Sequence, residues 1–174
     1  LQAGCTAFRE QYADGDDALM HHLSVDGQHP KVMVVTCADS RVDPALIMQC
    51  DPGDIFVARN VANIIPHFDK GNDCLGTTSA IEYAVRHLQI EHLIIMGHSQ
   101  CGGIGALISD KKLGSDFIES WVDSVAQAAT DEIDSCSQAA LHQSYQHCFS
   151  YPWIKERVDA GQLQIHRWFF DIKH

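Results

Sequence analysis

The sequence predicts one α/β domain with a mainly parallel central sheet of about four to five strands, flanking helices and an N-terminal helical arm. Three observations predict this class. The chain has 174 residues, which is the size of a single domain. Apolar runs of strand length recur along it, and segments with helical periodicity separate them. The sequence contains no internal repeat, low-complexity segment or interdomain linker.

Four runs rich in β-branched and aromatic residues have the length and composition of strands. The first three are almost continuously apolar, which is typical of parallel strands that are covered by helices on both faces. The predicted strands are Lys31–Thr36, Asp54–Ala58, His92–Met96 and Leu163–Phe170.

The spacers between the strands carry helix signals. An apolar stripe runs along Thr78–Leu88, and Ser79 followed by Glu82 predicts a capping box at its start. Pro152 in a first turn and Gly161 just past the end frame a later helix. The predicted helices are Thr78–Leu88, Gly103–Ile108, Phe117–Ala129, Gln138–Cys148 and Pro152–Ala160, with one or two more in residues 1–23, broken at Asp14 and Gly15.

We expect this single domain, 1–174, to consist of a helical arm (1–23), a core that carries the candidate site (31–110), and a part with C-terminal helices and the last strand (116–174). Sites in open α/β sheets form beyond the carboxyl ends of strands, where the winding reverses. The chemistry is therefore expected where the first and third predicted strands end.

Composition excludes some classes of function. The net charge of −11 argues against binding to nucleic acid and against attraction to an anionic membrane surface. The longest apolar runs are too short to cross a membrane. The seven cysteines are irregularly spaced, which predicts a reducing compartment and not a disulfide scaffold. We expect the cytoplasm, with an organelle as the alternative if an upstream transit peptide exists.

Two polar segments follow the first and third strands and contain the candidate metal ligands. Cys37 comes directly after the first strand, and His98 and Cys101 come after the third. Two thiolates and one imidazole form a soft set that favours zinc, and three protein ligands leave a fourth position open, as in catalytic zinc sites. Spacing alone leaves simple packing open as well, because cysteine at a strand end is usually buried core.

Asp39 and Arg41 share the first of these segments. A carboxylate beside a metal either becomes the fourth ligand or accepts a hydrogen bond from metal-bound hydroxide. Arg41 can pair with Asp39 through two hydrogen bonds and hold it ionised and away from the metal. A strand-end ion pair without catalytic role is the alternative. Gly102 and Gly103 follow Cys101, and a helix that begins there directs N–H groups at the site.

These residues lie within longer blocks by which the chain resembles the β-class carbonic anhydrases. The resemblance covers most of the chain, in the order of the family. The matching blocks are CADSRVDP (37–44), DPGDIFVARNVAN (51–63), GTTSAIEYAV (76–85), GHSQCGGIGAL (97–107) and YPWIKERVDAGQLQIHRWFFDI (151–172).

The resemblance implies a zinc enzyme that converts carbon dioxide reversibly into bicarbonate and a proton. Zn²⁺ would be held by Cys37, His98 and Cys101, and zinc-bound hydroxide would be oriented by Asp39 with the support of Arg41. It also implies a homodimer at least, with a tetramer as a higher assembly and each pocket lined partly by the neighbouring chain. The implied substrate-binding residues are Gln28, Phe56, Val61, Tyr83 and Gly102.

Two other functions remain open at this point. A related zinc hydrolase could use the same site on another small substrate, such as carbon disulfide. An inactive, zinc-stabilised interaction module would keep Asp39 permanently on the metal. A subclass of the family is regulated by bicarbonate and has a Trp-x-Gly before the first metal cysteine. Here residues 34–36 are Val, Val and Thr, although Val42 and Arg59 fit that subclass, so we expect an unregulated site.

Overall fold

The computed structural model describes residues 1–69, 75–109, 114, 116–128 and 130–174. Within these residues the chain forms a four-stranded sheet in the order β2-β1-β3-β4, and every neighbouring pair is parallel. The predicted α/β class is thereby confirmed. The strands are β1 (Val32–Cys37), β2 (Ile55–Asn60), β3 (His92–His98) and β4 (Gln164–Phe170).

Three of the strands, β1, β2 and β3, continue past the ends predicted for them. β1 reaches Cys37, which pairs with Asn60 of β2, and β3 reaches His98, which pairs with Phe170 of β4. The prediction ended these strands at the last apolar residue. In the sheet, hydrogen-bonded pairing decides where a strand ends, and polar residues continue the ladder. Two candidate ligands are therefore the terminal residues of strands and not loop residues.

Eight α-helices lie in the described parts of the chain, and α4 continues into one π-helical turn, Tyr83–His87. Single 3₁₀ turns are formed by Val61–Asn63 and Ala126–Ala128. The helices are α1 (Gln2–Tyr12), α2 (Leu19–Asp26), α3 (Pro44–Met48), α4 (Leu75–Glu82), α5 (Gly102–Ile108), α6 (Ile118–Asp123), α7 (Ile133–Cys148) and α8 (Pro152–Asp159).

Two helix predictions were wrong in detail. Ser79 lies inside α4, which already includes Leu75, so the capping box predicted at Ser79 is not formed. The helix predicted over Phe117–Ala129 is replaced by α6 and a 3₁₀ turn, and residue 129 itself lies outside the described residues. In both cases the sequence indicated the presence of helix but not its ends, which depend on capping.

Side-chain caps explain the helices that begin earlier than predicted or were missed. α7 begins at Ile133, ahead of the predicted Gln138, because the Glu132 carboxylate accepts hydrogen bonds from the N–H groups of Asp134 and Ser135 at 3.0 and 2.5 Å. The short α3 was not predicted. There Asp43 accepts from the N–H groups of its first turn, and a proline occupies the first position.

The core lies on both faces of the two central strands. Met33 and Val35 of β1 face one apolar cluster and Val34 faces another, and all three side chains are fully buried. A third cluster surrounds Cys37 and Cys101 at the carboxyl end of the sheet. Rigid packing therefore encloses the place where the candidate ligands lie. Among the described residues, no helix is long and apolar enough to span a bilayer.

Candidate metal centre

Cys37, His98 and Cys101 form a compact, buried cluster at the carboxyl end of the sheet. Their ligand atoms all lie within 4.8 Å of one another, and the two Sγ atoms are 3.9 Å apart. Because β1 and β3 are parallel neighbours, their terminal residues meet at the same edge. Cys101 lies immediately before α5. Among the described residues, no other group of three His, Cys, Asp or Glu side chains is this close together.

The donor atoms fit zinc. Nδ1 of His98 lies 2.8 Å from the Ser99 carbonyl oxygen, which requires a proton on Nδ1, so that the neutral ring has its free electron pair on Nε2. Nε2 is buried without a hydrogen-bond partner, a condition that usually costs about 1–3 kcal/mol. A cation shared with the two sulfur atoms accounts for that arrangement. Two sulfur ligands and one imidazole are a set that zinc prefers over harder cations.

The two thiols are electrostatically different. A hydrogen bond from the Cys101 thiol lowers the pKa of Cys37 to about 4, and the N–H groups of Asp39 and Ala62, each 3.4 Å from the Cys37 sulfur, lower it further. The same shared proton, together with burial, raises the pKa of Cys101. The two sulfur atoms lie within hydrogen-bonding distance of each other, and the binding of a divalent metal by both as thiolates has to release their protons.

Asp39 lies outside the cluster and is held by Arg41. Nε of Arg41 donates to Oδ1 at 2.9 Å, Nη2 donates to Oδ2 at 2.7 Å, and the Arg41 backbone N–H donates to Oδ1 at 3.0 Å. This guanidinium holds the pKa of Asp39 well below its usual range. Asp39 is therefore an ionised acceptor with a fixed orientation. Because a carboxylate oxygen accepts two hydrogen bonds, Oδ2 has capacity for one more donor.

Arg59 holds the backbone of the segment between Cys37 and Asp43. It donates to the carbonyl oxygens of Cys37 at 3.0 Å and Asp39 at 2.7 Å, and its Nη1 pairs with Asp43 at 2.8 Å. The sequence indicated Arg59 only as a residue that fits the bicarbonate-regulated subclass, and this role was not predicted. The only signal was its place on β2, which indicates these contacts once the pairing of Arg59 with Thr36 is known.

The remaining candidate residues are distributed around this centre. The rings of Phe56 and Tyr83 are 6.0 Å apart between centroids, and Tyr83 is 47% exposed. Gly102 is the first residue of α5, and Val61 begins the 3₁₀ turn beside it. Gln28 is exposed between α2 and β1, and among the described residues no hydrogen bond joins it to the cluster.

Close packing makes Gly103 the more restricted of the two glycines after Cys101. A Cβ atom on Gly103 would lie 2.5 Å from Cγ1 of Val61 and 3.1 Å from Cβ of Ala62, whereas one on Gly102 meets no atom within 4 Å. The Ala62 N–H bonds to the Cys37 sulfur. A side chain at Gly103 would therefore displace a turn that holds a candidate ligand.

Gly103→Ala is expected to lower the free energy of unfolding by about 1–3 kcal/mol, the usual cost of overpacking. Metal affinity should fall with it, because the turn carrying the Ala62 N–H has to move. Gly102→Ala is the matched control, and its stability should stay near wild type. Chemical denaturation of the metal-free proteins measures the difference. Equal stability of the two variants would show that the contact with Val61 is not restrictive.

The comparisons with known proteins agree with this fold and show the family. A family model described as carbonic anhydrase matches residues 32–174. Beta carbonic anhydrase 5, chloroplastic, of Arabidopsis thaliana is 35% identical over an alignment 171 residues long, which covers 90% of this chain and 56% of that protein. The chain thus spans little more than half the length of this curated relative.

Solved structures extend the similarity to the three-dimensional fold. The β-carbonic anhydrase CcaA shares 32% identity with a TM-score of 0.88, over 99% of this chain and 82% of that one. One of the structures of two tetrameric β-carbonic anhydrases from Sordaria macrospora shares 30% identity with a TM-score of 0.82, over 99% of this chain and 88% of that one. Sequence and fold together show that this chain belongs to the β-carbonic anhydrase family.

Proposed function

We propose that this chain binds Zn²⁺ through Cys37, His98 and Cys101 and catalyses the reversible hydration of carbon dioxide to bicarbonate and a proton. One observation carries the proposal. The buried Cys–His–Cys cluster stands beside an aspartate that an arginine holds ionised and outside the ligand set. This arrangement favours an open, catalytic metal position over the inactive module, in which Asp39 would be a ligand.

In the proposed mechanism, zinc, Asp39 and Arg41 have separate roles. Zinc bound here would supply Lewis acidity and a nucleophilic hydroxide near neutral pH. Asp39, which has acceptor capacity left at Oδ2, would orient the attacking hydroxide by accepting its hydrogen bond. Arg41 prevents Asp39 from rotating onto the metal and keeps it ionised. Each contact is made before the reaction, so little reorganisation is needed in the transition state.

The substrate is proposed to lie between apolar side chains and two hydrogen-bond donors. Phe56, Val61 and Tyr83 offer an apolar surface to carbon dioxide, which has no net charge. Gln28 and the N–H group of Gly102, at the start of α5, donate to the oxygens as negative charge develops on them. The residues before Cys37 support a site without bicarbonate regulation, because positions 34–36 are Val, Val and Thr and lack the Trp-x-Gly of the regulated subclass.

A second copy of the chain is proposed to complete the site, at least as a homodimer. Gln28 is exposed and Tyr83 is 47% exposed in the single chain, so both are available to an adjoining subunit. The related Sordaria macrospora enzymes are tetrameric, which supports a higher assembly.

A reducing compartment is proposed for the protein. The six cysteines that the structure describes are free thiols, and two of them are candidate ligands that oxidation would block. The cytoplasm and the interior of an organelle both meet this condition. The Arabidopsis thaliana relative is chloroplastic by name, which supports the organelle.

Native mass spectrometry and metal analysis test the proposal together. We expect about one zinc per chain, because three protein ligands form one buried cluster. We expect an even number of chains, because the proposed minimal unit is a homodimer. Removal of zinc with a chelator should abolish carbon dioxide hydration, and added Zn²⁺ should restore it. A metal-free protein with full activity would overturn the proposal. Hydrolysis of carbon disulfide without hydration of carbon dioxide would show that carbon disulfide is the substrate in place of carbon dioxide.

A further inference from the structure

The loop between two of the candidate ligands has an unfavourable backbone conformation. Gln100 lies between His98 and Cys101 with a φ of 53°, in the left-handed region. That region is costly for a residue with a side chain and persists only where surrounding contacts hold it. The contacts that hold Gln100 therefore help to determine how His98 and Cys101 are placed relative to each other.

The upstream half of the loop is held by β4 and the residues after it. The Ser99 N–H donates to the Phe170 carbonyl oxygen at 3.0 Å. Its hydroxyl donates to Asp171 at 3.0 Å and accepts from the Ile172 N–H at 2.9 Å. These bonds continue the pairing of β3 with β4 and explain why Ser99 is 2% exposed. They hold the backbone up to Ser99 but do not reach Gln100.

Gln100 is held from α7. Its N–H donates to Oδ1 of Asp134 at 2.6 Å, a short bond to a carboxylate. Asp134 lies in the first turn of α7, which Glu132 caps and which packs against β3 and β4. The side chain of Asp134 is only 26% exposed, and Lys173 Nζ lies 3.9 Å from its Oδ2. The capped helix α7 thus holds the Asp134 carboxylate at the backbone N–H of Gln100.

The other end of Gln100 contacts the Asp39–Arg41 pair. Its carbonyl oxygen accepts a hydrogen bond from Nη2 of Arg41 at 3.2 Å, and the same nitrogen donates to Oδ2 of Asp39. One residue therefore connects Asp134 on α7 with the arginine that orients Asp39. If Gln100 relaxes toward ordinary φ values, both its carbonyl group and the separation of His98 from Cys101 change.

We infer that Asp134 is a positioning residue that holds the His98–Cys101 loop in its ligand-binding shape and, through Gln100, fixes Arg41 for its contact with Asp39. The inference rests on the proposed function in that it takes the bound ion to be zinc. Asp134 touches neither the ion nor the substrate. Its effect is expected on the geometry and retention of the metal, since groups that support ligands typically contribute about 10–100-fold to affinity.

Asp134→Ala tests the inference, with Asp134→Asn as a variant of equal size that keeps an oxygen acceptor. We expect Asp134→Ala to release zinc about 10–100-fold faster to a chelator. With Co²⁺ in place of zinc, its visible absorption should shift, because the ligand geometry has changed. Activity per bound zinc should fall through kcat more than KM. Asp134→Asn should recover part of each change. Asp131→Ala removes an exposed carboxylate just before α7 and is the control.

The outcomes separate this inference from the proposed function. If the wild-type chain takes up neither Zn²⁺ nor Co²⁺, the proposed function is wrong and the inference falls with it. If wild type binds metal and both Asp134 variants match it in release rate and Co²⁺ spectrum, the inference alone is overturned. A loss of thermal stability in Asp134→Ala with a zinc release rate and a Co²⁺ spectrum that match wild type would also overturn it, because the side chain would then support only the helix.

Discussion

His98→Ala is expected to lower zinc affinity by far more than about 100-fold, the upper range for residues that merely support ligands, and to abolish carbon dioxide hydration. The substitution removes the buried nitrogen atom that points at two thiols without a hydrogen-bond partner. Two sulfur ligands alone form an incomplete zinc site. Competition with a chromogenic chelator measures the affinity, and stopped-flow hydration measures the activity.

Thermal unfolding distinguishes loss of the metal from general damage at His98. A ligand that binds only the folded state raises its stability, so the wild-type melting temperature should fall when zinc is removed. The melting temperature of His98→Ala should not respond to the chelator. His147→Ala is the control, because His147 is also partly buried and its Nδ1 lies 2.8 Å from a backbone oxygen, that of Ile65. It should lose stability but keep its response to zinc. A His98→Ala protein that retains zinc would remove His98 from the ligand set.

Asp39→Ala is expected to keep about one zinc per chain and to lose about 10²–10³-fold in kcat, the range for removal of one preorganised group in a transition state. Retention of zinc is expected because Asp39 lies outside the cluster that Cys37, His98 and Cys101 form. The loss in kcat is expected because nothing else in the proposed mechanism orients the attacking oxygen. Metal analysis and stopped-flow hydration on the same sample measure both quantities.

The control for Asp39 is another carboxylate in an ion pair. Asp159 on α8 pairs with Lys155 at 2.6 Å on the exposed surface. Such pairs contribute little, so Asp159→Ala should leave kcat unchanged. Activity of Asp39→Ala within a few-fold of wild type would make the Asp39–Arg41 pair structural only. Because Arg41 lowers the pKa of Asp39, the stability from this pair is complete above the ordinary carboxyl pKa near 4 and is lost as the pH falls below it.

The fold and the candidate ligands could be predicted because they depend on local patterns. Apolar runs identify β1 and β3 as buried strands, and polar residues directly after them place Cys37 and His98 at one edge of the sheet. The pairing of Asp39 with Arg41 could also be predicted, since the two residues lie two positions apart. The exact ends of the helices could not be predicted. Ser79 looked like a cap, and Asp43 and Glu132 were the caps that the structure uses.

The supporting contacts could not be predicted, for a different physical reason. Arg59 reaches the carbonyl oxygens of Cys37 and Asp39 only because β2 pairs with β1 in a particular register. Asp134 reaches Gln100 only because α7 packs across β3 and β4. Neither residue has a local signature, because a carboxylate or guanidinium at the start of a helix or within a strand is common on protein surfaces. Their roles depend on contacts between segments far apart in the chain.

The sequence by itself therefore determined which side chains are candidates to hold a metal ion and on which kind of fold they are carried. The donor atoms follow from the side-chain types, and strand or helix periodicity follows from neighbouring residues, so both can be identified from the sequence. Only the tertiary structure decided that Asp39 lies outside the ligand cluster, that one thiol shares its proton with the other, and that Gln100 is held in a left-handed conformation by Asp134. These features depend on distances of a few ångströms between separate elements, which packing sets and spacing along the chain does not.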